Sequence, residues 1–97
     1  MKLKITEEFW GVDRKSGKGG TKKTDEITAE CAPGAELTFE KGRRRFVIDE
    51  VSGESVTFSV RYADENYNKT WTIPKGEGAF YRPLSMDGGY QYIFKVK

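Results

Sequence analysis

Histidine, which most often supplies acid–base catalysis, metal ligation and pH switching, is absent from this 97-residue chain. Its single cysteine, Cys31, lies among Ala29, Ala32 and Pro33. No base stands beside it to generate a thiolate, so it reads as a buried, inert thiol. Asp64, Glu65, Asn66 and Asn68 form an oxygen-rich run that could meet a hard cation such as Ca²⁺. The run lacks the spacing of an EF-hand loop, with its fixed glycine and closing glutamate. It reads instead as a turn closed by Asx-type hydrogen bonds. The 15 scattered Asp and Glu residues single out no acid–base pair. The expectation is therefore a non-catalytic chain with no metal and no cofactor.

Two basic segments remain. Residues 11–23, GVDRKSGKGGTKK, resemble a phosphate-binding loop only superficially. Gly11 and Gly17 enclose five residues where that motif needs four, and Lys18 is followed by Gly19 instead of Ser or Thr. The segment reads as a flexible, solvated loop whose Arg14, Lys15, Lys18, Lys22 and Lys23 could touch an acidic partner or a phosphate backbone. The second cluster is Lys41 with Arg43, Arg44 and Arg45. Strand alternation sends Arg43 and Arg45 to one face. It sends Arg44 to the rim of the core face, from which it is expected to snorkel outward.

Aromatic residues are more numerous than a core of this size requires. Trp10, Tyr62, Tyr67, Trp71, Phe80, Tyr81, Tyr90 and Tyr92 cannot all be interior. Exposed rings on a β face stack on sugars or bases. Adjacent Phe80 and Tyr81 must face opposite ways in a strand. Trp71 and Phe58 are expected in the core, and Trp10 and Tyr81 outside. The candidate binding residues are thus Trp10, Arg14, Lys18, Arg43, Arg45 and Tyr81.

The elements that must position them are strands. Residues 45–62, RFVIDEVSGESVTFSVRY, read as a β-hairpin around Ser52 and Gly53. Val56, Phe58, Val60 and Tyr62 alternate cleanly with polar residues. In the first arm Val51 is out of phase with Phe46 and Ile48. A bulge near Asp49 and Glu50 restores it to the core side, and this irregular arm suggests a twisted edge open to a partner. Residues 2–9 and 24–32 read as two paired strands, with Glu7 interrupting the apolar side of the first. Residues 35–40, 69–73, 78–82 and 90–97 supply the rest, and Pro83 confines 78–82 to an edge or terminus. The expected core is Leu3, Ile5, Ile27, Cys31, Leu37, Phe39, Phe46, Ile48, Val56, Phe58, Val60, Trp71, Ile73, Tyr92 and Phe94. No segment keeps a helical period. The expected fold is one all-β domain, an antiparallel β-sandwich or small partly open β-barrel of about seven or eight strands.

Net charge is +2, too small a bias to argue for nucleic acid alone. A lone cysteine forbids an intrachain disulfide and leans toward a reducing compartment. No apolar run has signal-peptide or membrane-span length. A cytoplasmic location is expected, although a trimmed secreted form has the same composition. The functional expectation is a binding or interaction module. A protein partner, or a homodimer that hides an edge strand, leads. A glycan on exposed Trp and Tyr comes next, and weak single-stranded nucleic-acid binding through the basic loop is disfavoured.

Overall fold

The computed structural model describes residues 1–12, 16–83 and 88–97. Eight strands are β1 (Lys2–Val12), β2 (Gly19–Glu30), β3 (Glu36–Phe39), β4 (Arg44–Ser52), β5 (Ser55–Arg61), β6 (Lys69–Pro74), β7 (Gly78–Tyr81) and β8 (Gly88–Val96). They form two four-stranded antiparallel sheets with orders β2-β1-β8-β7 and β3-β4-β5-β6. The sheets pack face to face as a sandwich, and this settles the choice left open between sandwich and barrel. No helix among the described residues is long and apolar enough to cross a membrane.

The β4–β5 hairpin forms as its alternation dictates, with the register shift falling between Ile48 and Glu50. Val51 consequently packs against the core. Gly53 turns the hairpin at φ +58°, a conformation in which a Cβ is strained. The start of the irregular arm is interior to its sheet, since β4 is flanked by β3 and β5. The short β3 pairs only with the first part of β4, as far as Val47. The extra residue lies beyond the reach of β3, where β4 pairs with β5 alone among the described residues and forms a local edge.

Segment 11–23, expected as a loop, is strand at both ends, and residues 13–15 lie outside the described residues. β1 continues to Val12 and β2 begins at Gly19, with Gly11 opposite Gly20. Backbone pairing needs no side chain, so glycine runs that carry no alternation still extend the ribbon. At ~3.3 Å per residue β1 spans roughly 36 Å, which accounts for most of the molecule's 49 Å long axis.

Leu3, Ile5, Phe94 and Val96 from one sheet meet Leu37, Phe39, Phe46, Ile48, Val56, Phe58, Val60 and Ile73 from the other in a continuous core. Phe46 lies at its centre, with ring centroids 5.1 Å from Tyr92, 5.4 Å from Phe94, 6.0 Å from Phe39 and 6.5 Å from Trp71. Ile27, Cys31 and Trp71, expected in the core, are half-buried against it. Ile27 and Trp71 belong to β2 and β6, each a sheet edge with a neighbour on one side only. Burial raises the Cys31 thiol above its ordinary pKa, which keeps it a poor nucleophile.

Candidate functional site

One charged residue belongs to the interior. Glu7 is fully buried on the inner face of β1. Its Oε1 accepts from the Thr24 hydroxyl at 2.7 Å. Its Oε2 accepts from the Tyr92 hydroxyl at 2.9 Å and from the Gly42 N–H at 3.2 Å. Gly42 belongs to the turn between β3 and β4, so this carboxylate ties the two sheets together. A Cβ at Gly42 would overlap both the Tyr92 hydroxyl and the Glu7 carboxylate. The apolar stripe is interrupted at Glu7, as the sequence suggests, yet the residue stays inside because three donors converge on it.

Beside this network a chain of phenols leads outward. The hydroxyls of Tyr62 and Tyr81 are hydrogen-bonded to each other. Arg44 does not snorkel to solvent: its guanidinium sits 5.4 Å from the Tyr62 ring centroid and its Nη1 donates to the Gly42 carbonyl at 2.7 Å. The Arg44 Nε is buried without a hydrogen-bond partner among the described residues.

Tyr62 and Tyr81 form part of the wall of a cleft of ≈ 670 Å³, between the β5–β6 connection and the end of β7. Lys69, Arg82 and Pro83 also line it. The β5–β6 connection is shaped by its own side chains. Asp64 Oδ1 accepts the Asn66 N–H at 3.0 Å, the Asx turn expected from the sequence, and a 3₁₀ turn follows over Glu65–Tyr67. Asn68 Oδ1 accepts the Tyr62 N–H at 2.7 Å and fastens the loop to the strand end. This leaves the Tyr67 ring 66% exposed on the cleft wall, beside Asn66. The described residues include no group of three or more Cys, Asp or Glu able to hold a metal.

The sequence-predicted site residues scatter. Tyr81 is buried at 7% exposure, contrary to expectation, and Phe80 is the exposed member of the pair at 52%. The register explains the reversal: Tyr81 stands opposite Tyr92, which faces the core, and Phe80 stands opposite outward-facing Ile93. Trp10 is half-buried, not exposed, because the Arg82 guanidinium covers it at 4.5 Å from the ring centroid. Lys18 is exposed near the ribbon tip, its N–H 3.3 Å from Ser16 Oγ. Arg43 is exposed in the β3–β4 turn at φ +52°. Arg45 is bound to Glu36 at 2.9 Å. Lys18, Arg43 and Arg45 do not line the cleft. Arg14 lies outside the described residues, as does Lys15. Tyr67, Lys69 and Arg82 escaped the candidate list. Their only signal was a polar loop followed by a short aromatic strand, and the strand order that joins them was not readable.

Tyr81 and Tyr92 are both pushed above the ordinary tyrosine pKa of 10.0. Burial is the main cause for each, followed by the hydrogen bond to Tyr62 for Tyr81 and to Glu7 for Tyr92. In the unfolded chain both phenols ionise near pH 10, so the stability they contribute is complete below that pH and is lost as pH rises above it. A phenolate absorbance titration should show these two of the five tyrosines ionising only as the protein unfolds. All five ionising together near pH 10 in the native state would contradict this arrangement.

No protein-family model, curated protein or solved structure matches this chain.

Proposed function

We propose that this chain is a non-catalytic binding module that holds a carbohydrate in the cleft between the β5–β6 connection and the end of β7. The observation that carries this reading is the Tyr67 ring, 66% exposed on the wall of a concave site. An exposed aromatic face packs against the apolar C–H face of a sugar ring. The Asn66 amide and the Lys69 ammonium belong to the same lining and offer hydrogen-bonding groups for sugar hydroxyls. The volume lies within the usual range of small-ligand sites. Among the described residues this lining contains neither a carboxylate nor a thiol.

Calorimetric titration with a panel of oligosaccharides tests the reading. Tyr67→Ala should weaken the best ligand about tenfold, the equivalent of ~1.4 kcal/mol, while leaving the melting temperature unchanged. Failure of every oligosaccharide to bind at millimolar concentration would overturn the reading.

A second reading, a protein partner, is favoured by a different surface. Phe80 and Ile93 are cross-strand neighbours on the outer face of their sheet, 52% and 40% exposed. Exposed apolar neighbours of this kind are a common mark of a docking surface.

A further inference from the structure

We propose that a second copy of this chain docks along the open edge of β2, the two β2 strands running antiparallel about a two-fold axis beside Thr24 and Asp25. This surface is separate from the cleft.

β2 is the longest edge strand, with 12 residues against four in β3, six in β6 and four in β7. Among the described residues it pairs only with β1. Its charges are sorted along its length. Lys22 and Lys23 lie in the first half, and Asp25, Glu26 and Glu30 in the second, all of them exposed. Lysines and bulges commonly protect an edge from self-pairing, because a second copy presents like charge. An antiparallel copy of β2 presents the opposite charge. The other edges lack this pattern: β3 carries only Glu36, β6 only Lys69, and β7 no charge.

The backbone decides which groups are open. The Cys31 N–H donates to the Met1 carbonyl at 2.9 Å. Alternation therefore turns Ala29, Ile27 and Asp25 toward β1 and leaves Glu26, Thr28 and Glu30 facing away. The register shift between Glu7 and Glu8 inserts Thr24 and reverses the parity, so Lys23, Thr21 and Gly19 face away beyond it. One register of two antiparallel copies then matches every open residue with another. Glu26 of one copy stands opposite Lys23 of the other, Thr28 opposite Thr21, and Glu30 opposite Gly19. Opposite charges and threonine pairs are favourable in such cross-strand positions. The same register sets Asp25 diagonal to Lys22 and brings the Lys22 stem over half-buried Ile27.

In the single chain these charges are weakly engaged. Glu26 meets Lys4 at 3.4 Å and Lys23 at 3.6 Å, exposed pairs that contribute little and can exchange for the same pairing across the axis. Lys41 Nζ takes the Thr24 carbonyl at 3.4 Å, which leaves this bulge residue outside the new ladder.

Sedimentation velocity from micromolar to millimolar protein tests the proposal. A dimer should form and weaken as salt rises. Lys22→Glu with Lys23→Glu makes both halves acidic and should weaken the dimer about tenfold or more. Asp25→Lys with Glu26→Lys makes both halves basic and should do the same. An equimolar mixture of the two variants should restore the dimer. Thr28→Pro removes an open N–H without touching the ladder to β1, so it should give a monomer with the wild-type circular dichroism spectrum. A strict monomer at millimolar concentration and low salt would overturn the proposal. A dimer that survives both charge reversals and Thr28→Pro would also overturn it.

Discussion

Glu7→Ala is expected to destabilise the protein by about 3 kcal/mol, a large share of the ~5–15 kcal/mol that holds a typical domain together. The variant leaves the Tyr92 hydroxyl and the Gly42 N–H without their shared acceptor, while the Thr24 hydroxyl keeps the main-chain carbonyl of residue 7, 3.2 Å away. Each orphaned buried donor costs roughly 1–3 kcal/mol. Relief from burying a carboxylate offsets part of that sum. For a chain of this size ~3 kcal/mol corresponds to a fall of roughly 12–20 °C in melting temperature. Glu7→Gln keeps the shape and one acceptor oxygen, so it should recover about half of the loss. Because Gly42 belongs to the opposite sheet, amide exchange in the β3–β4 turn should accelerate more than exchange in β1. A Glu7→Ala protein melting within ~3 °C of wild type would show that the carboxylate does not join the sheets.

Phe46→Ala should cost more, about 4 kcal/mol, the middle of the range for removing a buried ring. Phe46 is fully buried on β4 and touches rings from both sheets: Phe39 and Trp71 beside it, Tyr92 and Phe94 across the interface. No neighbour can close the gap without leaving its own contacts, so the cavity penalty adds to the lost transfer energy. Chemical denaturation should show a lower midpoint at unchanged slope, the mark of lost stability without a changed unfolded state. Phe46→Leu, which refills much of the volume, should cost about half as much. A loss below ~1.5 kcal/mol for the alanine variant would mean that the two sheets are not held by this ring cluster.

The strand pattern was legible wherever side chains alternate. The β4–β5 hairpin, its bulge and the inward stripe of Tyr92, Phe94 and Val96 all follow from parity, because one face is buried and the other wet. Parity failed in two situations. Glycines carry no side chain to alternate, so the backbone pairing of Gly11 with Gly20 was invisible. Parity also fixes only relative faces. Phe80 and Tyr81 had to oppose one another, but only the register of β7 against β8 decides which is buried.

The candidate site was less legible than the fold for a related reason. The Glu7 carboxylate finds its donors 17, 35 and 85 residues away along the chain, and nothing local announces them. The cleft joins the β5–β6 connection to the end of β7, edge strands of different sheets. The Arg82 guanidinium lies over Trp10 and donates to Gln91, on two other strands. The basic clusters that stood out in the sequence did so through composition. The structure leaves Lys18 and Arg43 exposed, pairs Lys23 with Glu26 and Arg45 with Glu36, and packs Arg44 on the Tyr62 ring.

The central claim is that the cleft beside Tyr67 is a carbohydrate site. An amide-resolved NMR titration with a panel of oligosaccharides tests it most directly. The account predicts shifts confined to residues 62–69 and 81–83, with the amides of Lys18, Arg43 and Arg45 unmoved. Shifts along β2 or around Arg43, or none with any oligosaccharide at millimolar concentration, would contradict it.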